Sequence, residues 1–179
     1  MARAFVAIRP PDAVCDALEA LALRLDEGRP TRWENLHLTL AFLGEAPAGA
    51  MEDVALELEA IEAEAPEIVF EGVGVFGGRE PRSAHARIRP DPALSALAKA
   101  VRRAARRGGM ELPAERFTPH VTVARFGARD PAGEGLARWL EREKGFRADP
   151  FRPAAFGLWR SELRAGGPLY TEMMRLPLL

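Results

Sequence analysis

The pattern of hydrophobic and polar positions predicts an α+β protein in which helices and strands are interleaved. Residues 3–8 read RAFVAI, an apolar run that predicts a strand ending before two prolines. Apolar residues then recur at steps of four, three and four positions, which predicts an amphipathic helix over 12–26. The same two signals predict helices over 50–63, 92–107 and 133–143 and strands over 67–75, 83–88, 151–162 and 169–176.

One further predicted strand carries polar side chains among aliphatic ones. Residues 37–44 read HLTLAFLG, and because side chains alternate between the faces of a strand, His37 and Thr39 share one face. The opposite, apolar face is formed by Leu36, Leu38, Leu40 and Phe42. A buried imidazole or hydroxyl without a hydrogen bond costs roughly 1–3 kcal/mol, so this polar pair needs partners or a function.

The same pattern occurs a second time. Residues 120–127 read HVTVARFG, which places His120 and Thr122 as the first pair is placed. The chain has three histidines and five threonines, so the chance that two histidines have Thr at i+2 is about 0.002. The copies lie 83 residues apart, close to half the chain, which predicts a duplication into two similar lobes. No other part of the two halves aligns by eye.

Composition limits the class of protein. The length predicts one two-lobed domain over 1–179, and the net charge of −1 excludes a protein that coats nucleic acid by bulk electrostatics. No apolar run approaches the ~18 residues that span a bilayer and no signal peptide is evident, so we expect a cytoplasmic protein without membrane contact. The single cysteine, Cys15, excludes an internal disulfide and is expected to be a small buried residue on a helix.

Two facing histidines point to proton transfer. One neutral and one protonated imidazole act as general base and general acid near neutral pH. Displacement at phosphorus suits such a pair, because the attacking and leaving oxygens lie in line on opposite sides of the phosphorus. A threonine hydroxyl beside each histidine can donate to a non-bridging oxygen without adding a cation that would depress the pKa of the acid.

These motifs resemble the 2H phosphoesterase superfamily, and within it the RNA 2′,3′-cyclic phosphodiesterases, also called 2′-5′ RNA ligases. The resemblance covers nearly the whole chain through RAFVAIRPP, ENLHLTLAFLGE, GVGVFGGREPR, TPHVTVARFG and LWRSELRAGGPLYTEM. It implies two pseudo-symmetric lobes, each an antiparallel sheet with helices on its outer face, around a central cleft.

The resemblance also implies an activity. The substrate would be RNA or a nucleotide with a 2′,3′-cyclic phosphate end, such as a tRNA fragment, opened by water to a 2′-phosphomonoester. Reversible, ATP-independent 2′-5′ ligation is implied as well. His37 would be the proton donor, His120 the proton acceptor, and Thr39 and Thr122 would bind the phosphate. No cofactor and no metal are implied, and a monomer is expected.

Weaker candidates surround the motifs. Arg125 could contact phosphate, although strict alternation puts it on the face opposite His120, so a bulge or twist would be required. Trp33 could stack on a base or pack as an ordinary aromatic. Tyr170 and Ser161 are expected to pack, and His85 to be a structural or surface histidine. The arginine cluster on the 92–107 helix is either a solvated face or an RNA-binding stripe; it comprises Arg102, Arg103, Arg106 and Arg107.

Three other functional classes have less support in the sequence. A metal hydrolase finds no second His or Cys at ligand spacing beside either motif and no H-E-x-x-H, and a serine hydrolase finds no G-x-S-x-G. The alternative from another class is a non-catalytic binder of RNA ends or nucleotides with the same fold. Substituting each histidine distinguishes it from an enzyme, because a binder loses affinity whereas an acid-base enzyme loses turnover.

Overall fold

The computed structural model describes residues 3–46, 49–165 and 167–179, and its helices and strands follow the predicted α+β order. In chain order the elements are β1 (Arg3–Ile8), α1 (Asp12–Leu23), β2 (Arg29–Pro30), a 3-10 helix (Trp33–Asn35), β3 (Leu38–Glu45), α2 (Ala50–Glu59), β4 (Phe70–Phe76), β5 (Ser83–Ile88), α3 (Pro92–Arg107), β6 (His120–Arg125), α4 (Glu134–Glu143), β7 (Ala155–Arg164) and β8 (Gly167–Pro177). Strand β2 and the 3-10 helix were not predicted, because two or three residues are too few to show a period.

Predicted boundaries that rested on apolar periodicity alone run too far. Helix α1 ends at Leu23 rather than 26, yet Leu25 beyond it is still only 7% exposed, so the periodic residue packs without being helical. Helix α2 ends at Glu59 rather than 63, and β4 begins at Phe70 rather than 67. The predicted end of α3 is confirmed at Arg107. There Gly108 allows close packing, because a Cβ on it would lie 2.7 Å from the Val54 Cα of α2.

The eight strands form one antiparallel sheet that divides into two halves with a helical layer on each. Strands β3, β1, β7 and β8 lie in this order, and with α2 and α3 they form the first lobe. Strands β4, β5 and β6, with β2 paired to β6, form the second lobe, against which α1 and α4 pack. Within the described residues the two halves are joined where Leu38 of β3 pairs with Val121 of β6.

The predicted duplication extends well beyond the two motifs. The succession β1, α1, β3, α2, β4 recurs as β5, α3, β6, α4, β7, and the two copies occupy equivalent places: β3-β1-β7 in the first lobe matches β6-β5-β4 in the second. Residues 3–13 (RAFVAIRPPDA) therefore correspond to 83–93 (SAHARIRPDPA), with five identities in eleven positions. Further self-similarity is therefore present. A single gapless alignment of the two halves misses it, because this pair is offset by 80 residues and the motifs by 83.

The lobes exchange elements and do not correspond to the two halves of the chain. Helix α1 follows β1 of the first lobe but packs on β6 of the second, whereas α3 follows β5 of the second lobe and packs on β3 of the first. The last strand of each copy is exchanged as well: β4 lies beside β5 in the second lobe, and β7 lies beside β1 in the first. The buried apolar faces of both copies are therefore completed by the other copy, so one half of the chain without the other would have an incomplete core.

Candidate active site

The pairing of β3 with β6 brings the two motifs together on one side of the sheet. Because Leu38 lies opposite Val121, the antiparallel register places His37 opposite Thr122 and Thr39 opposite His120. Side chains opposite each other have Cβ atoms roughly 4.5–5.5 Å apart, and diagonal neighbours such as the two histidines roughly 7–8 Å. The four predicted residues thus lie together on one side of the sheet, and the space between their side chains is here named the histidine cleft.

The same hydrogen bond orients both imidazoles. Nδ1 of His37 lies 2.6 Å from the carbonyl oxygen of Asn35, and Nδ1 of His120 lies 2.7 Å from that of Thr118. A carbonyl only accepts, so each Nδ1 carries a proton and donates it. Each neutral ring therefore keeps Nε2 as a bare acceptor, available to whatever occupies the histidine cleft.

Burial keeps both imidazoles uncharged in the free protein. It lowers the pKa of His37 to about 4, with smaller contributions from the charges of Arg125 and His120, while the bond to Asn35 opposes the shift. Burial lowers the pKa of His120 too, against the bond to Thr118 and aided by Arg125. Both neutral rings can therefore accept a proton, and an anion bound nearby would favour the charged form of either ring.

Equivalent bulges change the side-chain alternation just after each motif. Strand β6 skips Val123 in its pairing with β5, so Val123 and Ala124 are both buried and Arg125 turns to the cleft side of the sheet. The bulge that Arg125 required is therefore present. In β3 the skipped residue is Leu40, and Phe42 is 56% exposed. The expectation that Phe42 shares the apolar face with Leu40 was wrong, because a bulge reverses the alternation.

A cavity of about 480 Å³ opens beside His120 and Thr39. Phe42 and Phe76 contribute apolar walls to it, and Arg102 contributes a guanidinium. Of the arginine cluster on α3, Arg102 thus reaches the site, donating to the Pro113 carbonyl oxygen beside it. The other three are exposed or bonded elsewhere: Arg106 to the Leu112 carbonyl and Arg107 to Glu57.

Aromatic rings from distant strands pack on the first histidine. The centroid of His37 lies 4.8 Å from that of Phe5 and 5.3 Å from that of Tyr170, whose ring meets it edge-on. Tyr170 was expected to pack, and it does so against this imidazole from β8. Ser161, by contrast, pairs with Tyr170 through the backbone and lies in no cavity of the site.

The second histidine has a different neighbourhood. His85 and Phe76 lie 5.1 Å and 4.7 Å from its centroid, and they stack on each other at 4.2 Å. His85 is 4% exposed, so it is a buried residue and not a surface one, and burial lowers its pKa to about 3, aided by the charges of His120 and Arg87. Its Nδ1 has no hydrogen-bond partner among the described residues.

Two remaining candidates lie away from the histidine cleft. Trp33 donates from Nε1 to Asp16 at 2.8 Å, and the guanidinium of Arg9 lies 4.7 Å over its ring, so its predicted stacking on a base would have to displace or share that face. Cys15 is fully buried on α1, and burial raises the pKa of its thiol to about 11, as expected for a small core residue.

The described residues contain neither a metal-binding group nor a helix that could cross a membrane. The described residues bring no three His, Cys, Asp or Glu side chains together in a metal-binding group. Their helices include none whose length and apolar character would let it traverse a bilayer.

The chain is similar to known proteins in both sequence and structure. The family model of the 2′-5′ RNA ligase superfamily matches residues 10–164. An RNA 2′,3′-cyclic phosphodiesterase of Thermus thermophilus is 31% identical, covering 98% of this chain and 90% of that protein. One of Geobacillus stearothermophilus is 37% identical over 95 residues, 51% of this chain but 30% of that longer protein. The crystal structure of E. coli LigT with 3′-AMP superposes with a TM-score of 0.80 at 27% identity, covering 99% of this chain and 98% of that one.

Proposed function

The chain belongs to the 2′-5′ RNA ligase superfamily of 2H phosphoesterases, and from that premise we propose that it is an RNA 2′,3′-cyclic phosphodiesterase. In this proposal it hydrolyses terminal 2′,3′-cyclic phosphates to 2′-phosphomonoesters with two histidines and without a metal. The observation that carries the proposal is the crossed arrangement in which each histidine lies opposite the threonine of the other motif. Relatives that cover most of this chain carry the same activity in their names.

The reaction assigns one proton transfer to each imidazole. Nε2 of His120 takes a proton from water as the water oxygen bonds to phosphorus. The bond from phosphorus to the 3′-oxygen breaks in line with that attack, and Nε2 of His37 donates a proton to the leaving oxygen. Exchange with solvent then returns both rings to their starting states. The hydroxyls of Thr39 and Thr122 donate to the non-bridging oxygens and hold the phosphate between the rings.

The low pKa of His37 fits this scheme when the substrate charge is included. At neutral pH the ring is neutral in the free protein, since its pKa is about 4. A cyclic phosphate carries a negative charge, and an anion within a few Å favours the imidazolium form. Substrate binding therefore brings a proton with it, and the acid is charged only when there is a leaving group to protonate.

Ligation is the second activity that we propose for the same site. The reaction joins a cyclic phosphate end to a 5′-hydroxyl through a 2′-5′ bond, with the hydroxyl in the place of water. The cavity of about 480 Å³ at His120 gives such a second strand room on the entering side of phosphorus. Arg102 on its wall supplies a cation for a phosphate of that strand.

The test is hydrolysis of a short RNA with a 2′,3′-cyclic phosphate, in EDTA, from pH 5 to pH 9, for the wild type and for His37→Ala and His120→Ala. We expect bell-shaped, chelator-resistant turnover to a 2′-phosphate, with each variant slower by about 10² to 10⁴. Unimpaired turnover in either variant, or loss of wild-type activity in EDTA, would contradict the mechanism. Binding of the RNA without turnover in the wild type would favour the alternative, a non-catalytic RNA-end binder.

The physiological substrate class, tRNA fragments included, is part of the proposal and can be read from the same assay. Competing substrates with different terminal nucleotides and lengths give relative kcat/KM values directly. Light scattering of the purified protein would test the expectation of a monomer.

A further inference from the structure

A second cavity lies on the helix-free face of the first lobe, outside the histidine cleft. Its volume is about 420 Å³, which falls within the ~300–1,000 Å³ typical of small-molecule sites. The floor is made of small residues, Ala7 of β1 and Gly157 of β7. A Cβ on Gly157 would lie 2.7 Å from Nε1 of Trp159 and 2.9 Å from Oε1 of Glu172, so a larger residue there would fill the floor.

This cavity adjoins the recess that contains His37. Arg9 and Trp159 line it, and they also line the small recess that contains His37 and Tyr170. Phe5 lies between, with its ring stacked on Trp159 at 6.5 Å and tilted by 33° against His37 at 4.8 Å. The cavity thus lies next to the recess at His37, and we name the cavity and this recess together the upstream groove.

The groove carries three arginines that form no ion pair among the described residues. Arg9, Arg152 and Arg175 line it, and none of the three lies within 4.0 Å of an acidic side chain among the described residues. Two carboxylates, Asp12 and Glu172, line it as well, so the balance is one positive charge. Three guanidiniums without ion-pair partners around one cavity are suited to a phosphodiester.

The groove also offers an aromatic wall with an unused donor. The indole of Trp159 stands at the boundary between the recess and the cavity. Its Nε1 is buried and has no hydrogen-bond partner among the described residues. A base that stacks on such a ring gains binding energy regardless of sequence, and the indole N–H can donate to an acceptor nearby.

The direction of the reaction assigns an occupant to this groove. The 3′-oxygen that His37 protonates belongs to the terminal ribose, so the RNA body lies on the His37 side of phosphorus and the attacking water on the His120 side. We propose that the upstream groove binds the nucleotide that precedes the terminal one, together with its phosphodiester. The preferred substrate is then an oligonucleotide and not a cyclic mononucleotide. This inference rests on the proposed function.

The experiment compares kcat/KM for a tetranucleotide with a 2′,3′-cyclic phosphate and for 2′,3′-cyclic AMP. We expect the wild type to prefer the tetranucleotide by at least about tenfold, the size of one charge-assisted contact. Arg175→Ala and Arg152→Ala should each lower that preference by several-fold to about tenfold. Arg103→Ala, an exposed arginine on the opposite, helix-covered side of the lobe, should leave it at the wild-type value.

Salt dependence supplies a readout that altered packing would not mimic. Loss of one phosphate contact with a single strand should reduce the slope of log kcat/KM against log salt by about 0.7 for the tetranucleotide. An unchanged preference and an unchanged slope in both groove variants would overturn the inference while the enzyme still hydrolyses both substrates. Failure of the wild type to hydrolyse either substrate would overturn the proposed function, and the groove inference with it.

Discussion

The two histidines have the same backbone geometry and different neighbours. Each begins its motif, donates from Nδ1 to the carbonyl two residues earlier, and lies opposite the threonine of the other copy. The repeat places Phe5 beside the first histidine and His85 at the equivalent position beside the second. One imidazole therefore sits on a hydrocarbon ring and the other near a second titratable ring.

The difference separates what the duplication preserves from what each lobe can vary. In the proposed mechanism both histidines and both threonines contact the phosphate, which explains why the two copies of the motif have the same residues at these positions. The rings that pack on the two histidines have no role in that mechanism, so each lobe can have its own set. The first lobe additionally has Tyr170 and the upstream groove, whereas the cavity beside His120 is lined by residues of both lobes.

The largest expected effect distinguishes the two proton-transfer roles. With 3′-oxygen as leaving group, His37→Ala and His120→Ala should both be slower by about 10² to 10⁴. A substrate with sulfur at the 3′-position leaves as a thiolate, which needs no general acid because a thiol pKa is about 8.5. We expect the sulfur substrate to restore His37→Ala to within about tenfold of the wild type, and His120→Ala to remain slow. The opposite pattern would exchange the two roles.

A second experiment, His85→Phe, gives the second histidine the same neighbouring ring type that Phe5 provides for the first. The pKa of His85 is about 3 in the folded protein and about 6.5 when unfolded. Between these values the unfolded chain binds a proton that the folded chain does not, so stability falls as the pH drops below about 6.5.

The variant lacks that proton uptake on unfolding. Relative to pH 7.5, it should therefore lose about 2 kcal/mol less of its free energy of unfolding at pH 5 than the wild type loses. Urea denaturation at the two pH values measures the difference, and any repacking cost of the larger ring cancels between them. Equal pH dependence in both proteins would show that His85 titrates normally.

Substitutions of Thr39 and Thr122 test whether both copies of the motif contribute equally to phosphate binding. Thr39→Val and Thr122→Val keep the side-chain shape and remove the hydroxyl, and each should lower kcat/KM by about tenfold through a lost donor to a charged oxygen. The pH optimum should stay in place, since no charge changes. A loss confined to one threonine would show that the phosphate is held mainly by one lobe.

The smallest expected effect concerns Arg125, whose charge lowers the pKa of both histidines. Arg125 lowers the pKa of His37 and of His120, so Arg125→Ala should move both limbs of the pH profile of kcat/KM to higher pH, by less than about one unit because the guanidinium is exposed. Arg125→Lys, the matched control, keeps the charge and should keep the profile. A shift toward lower pH would contradict the stated cause.

Local sequence patterns determined much of this protein. Helix α3 follows from its signals: Asp91 caps it by accepting from Leu94 N at 2.8 Å, Pro92 begins it, and Gly108 follows its last residue. Alternation within each motif put His37 and Thr39 on one face, and their recurrence in the second motif indicated the phosphate-binding pair. These signals span a few residues, which is the range over which backbone geometry repeats.

Only the tertiary structure decided which residues surround the histidines. Bulges reverse the alternation after Leu40 and Val123, and a bulge is an irregularity in strand pairing that a period of two cannot reveal. Tyr170 contacts His37 from β8, and Arg9, just after β1, lines the same cavity as Trp159 of β7. Such contacts join residues that are more than a hundred positions apart, and they depend on the exchange of strands and helices between lobes. The sequence alone thus determined which histidines and threonines are paired. Long-range packing decided which residues surround them and where the upstream groove lies.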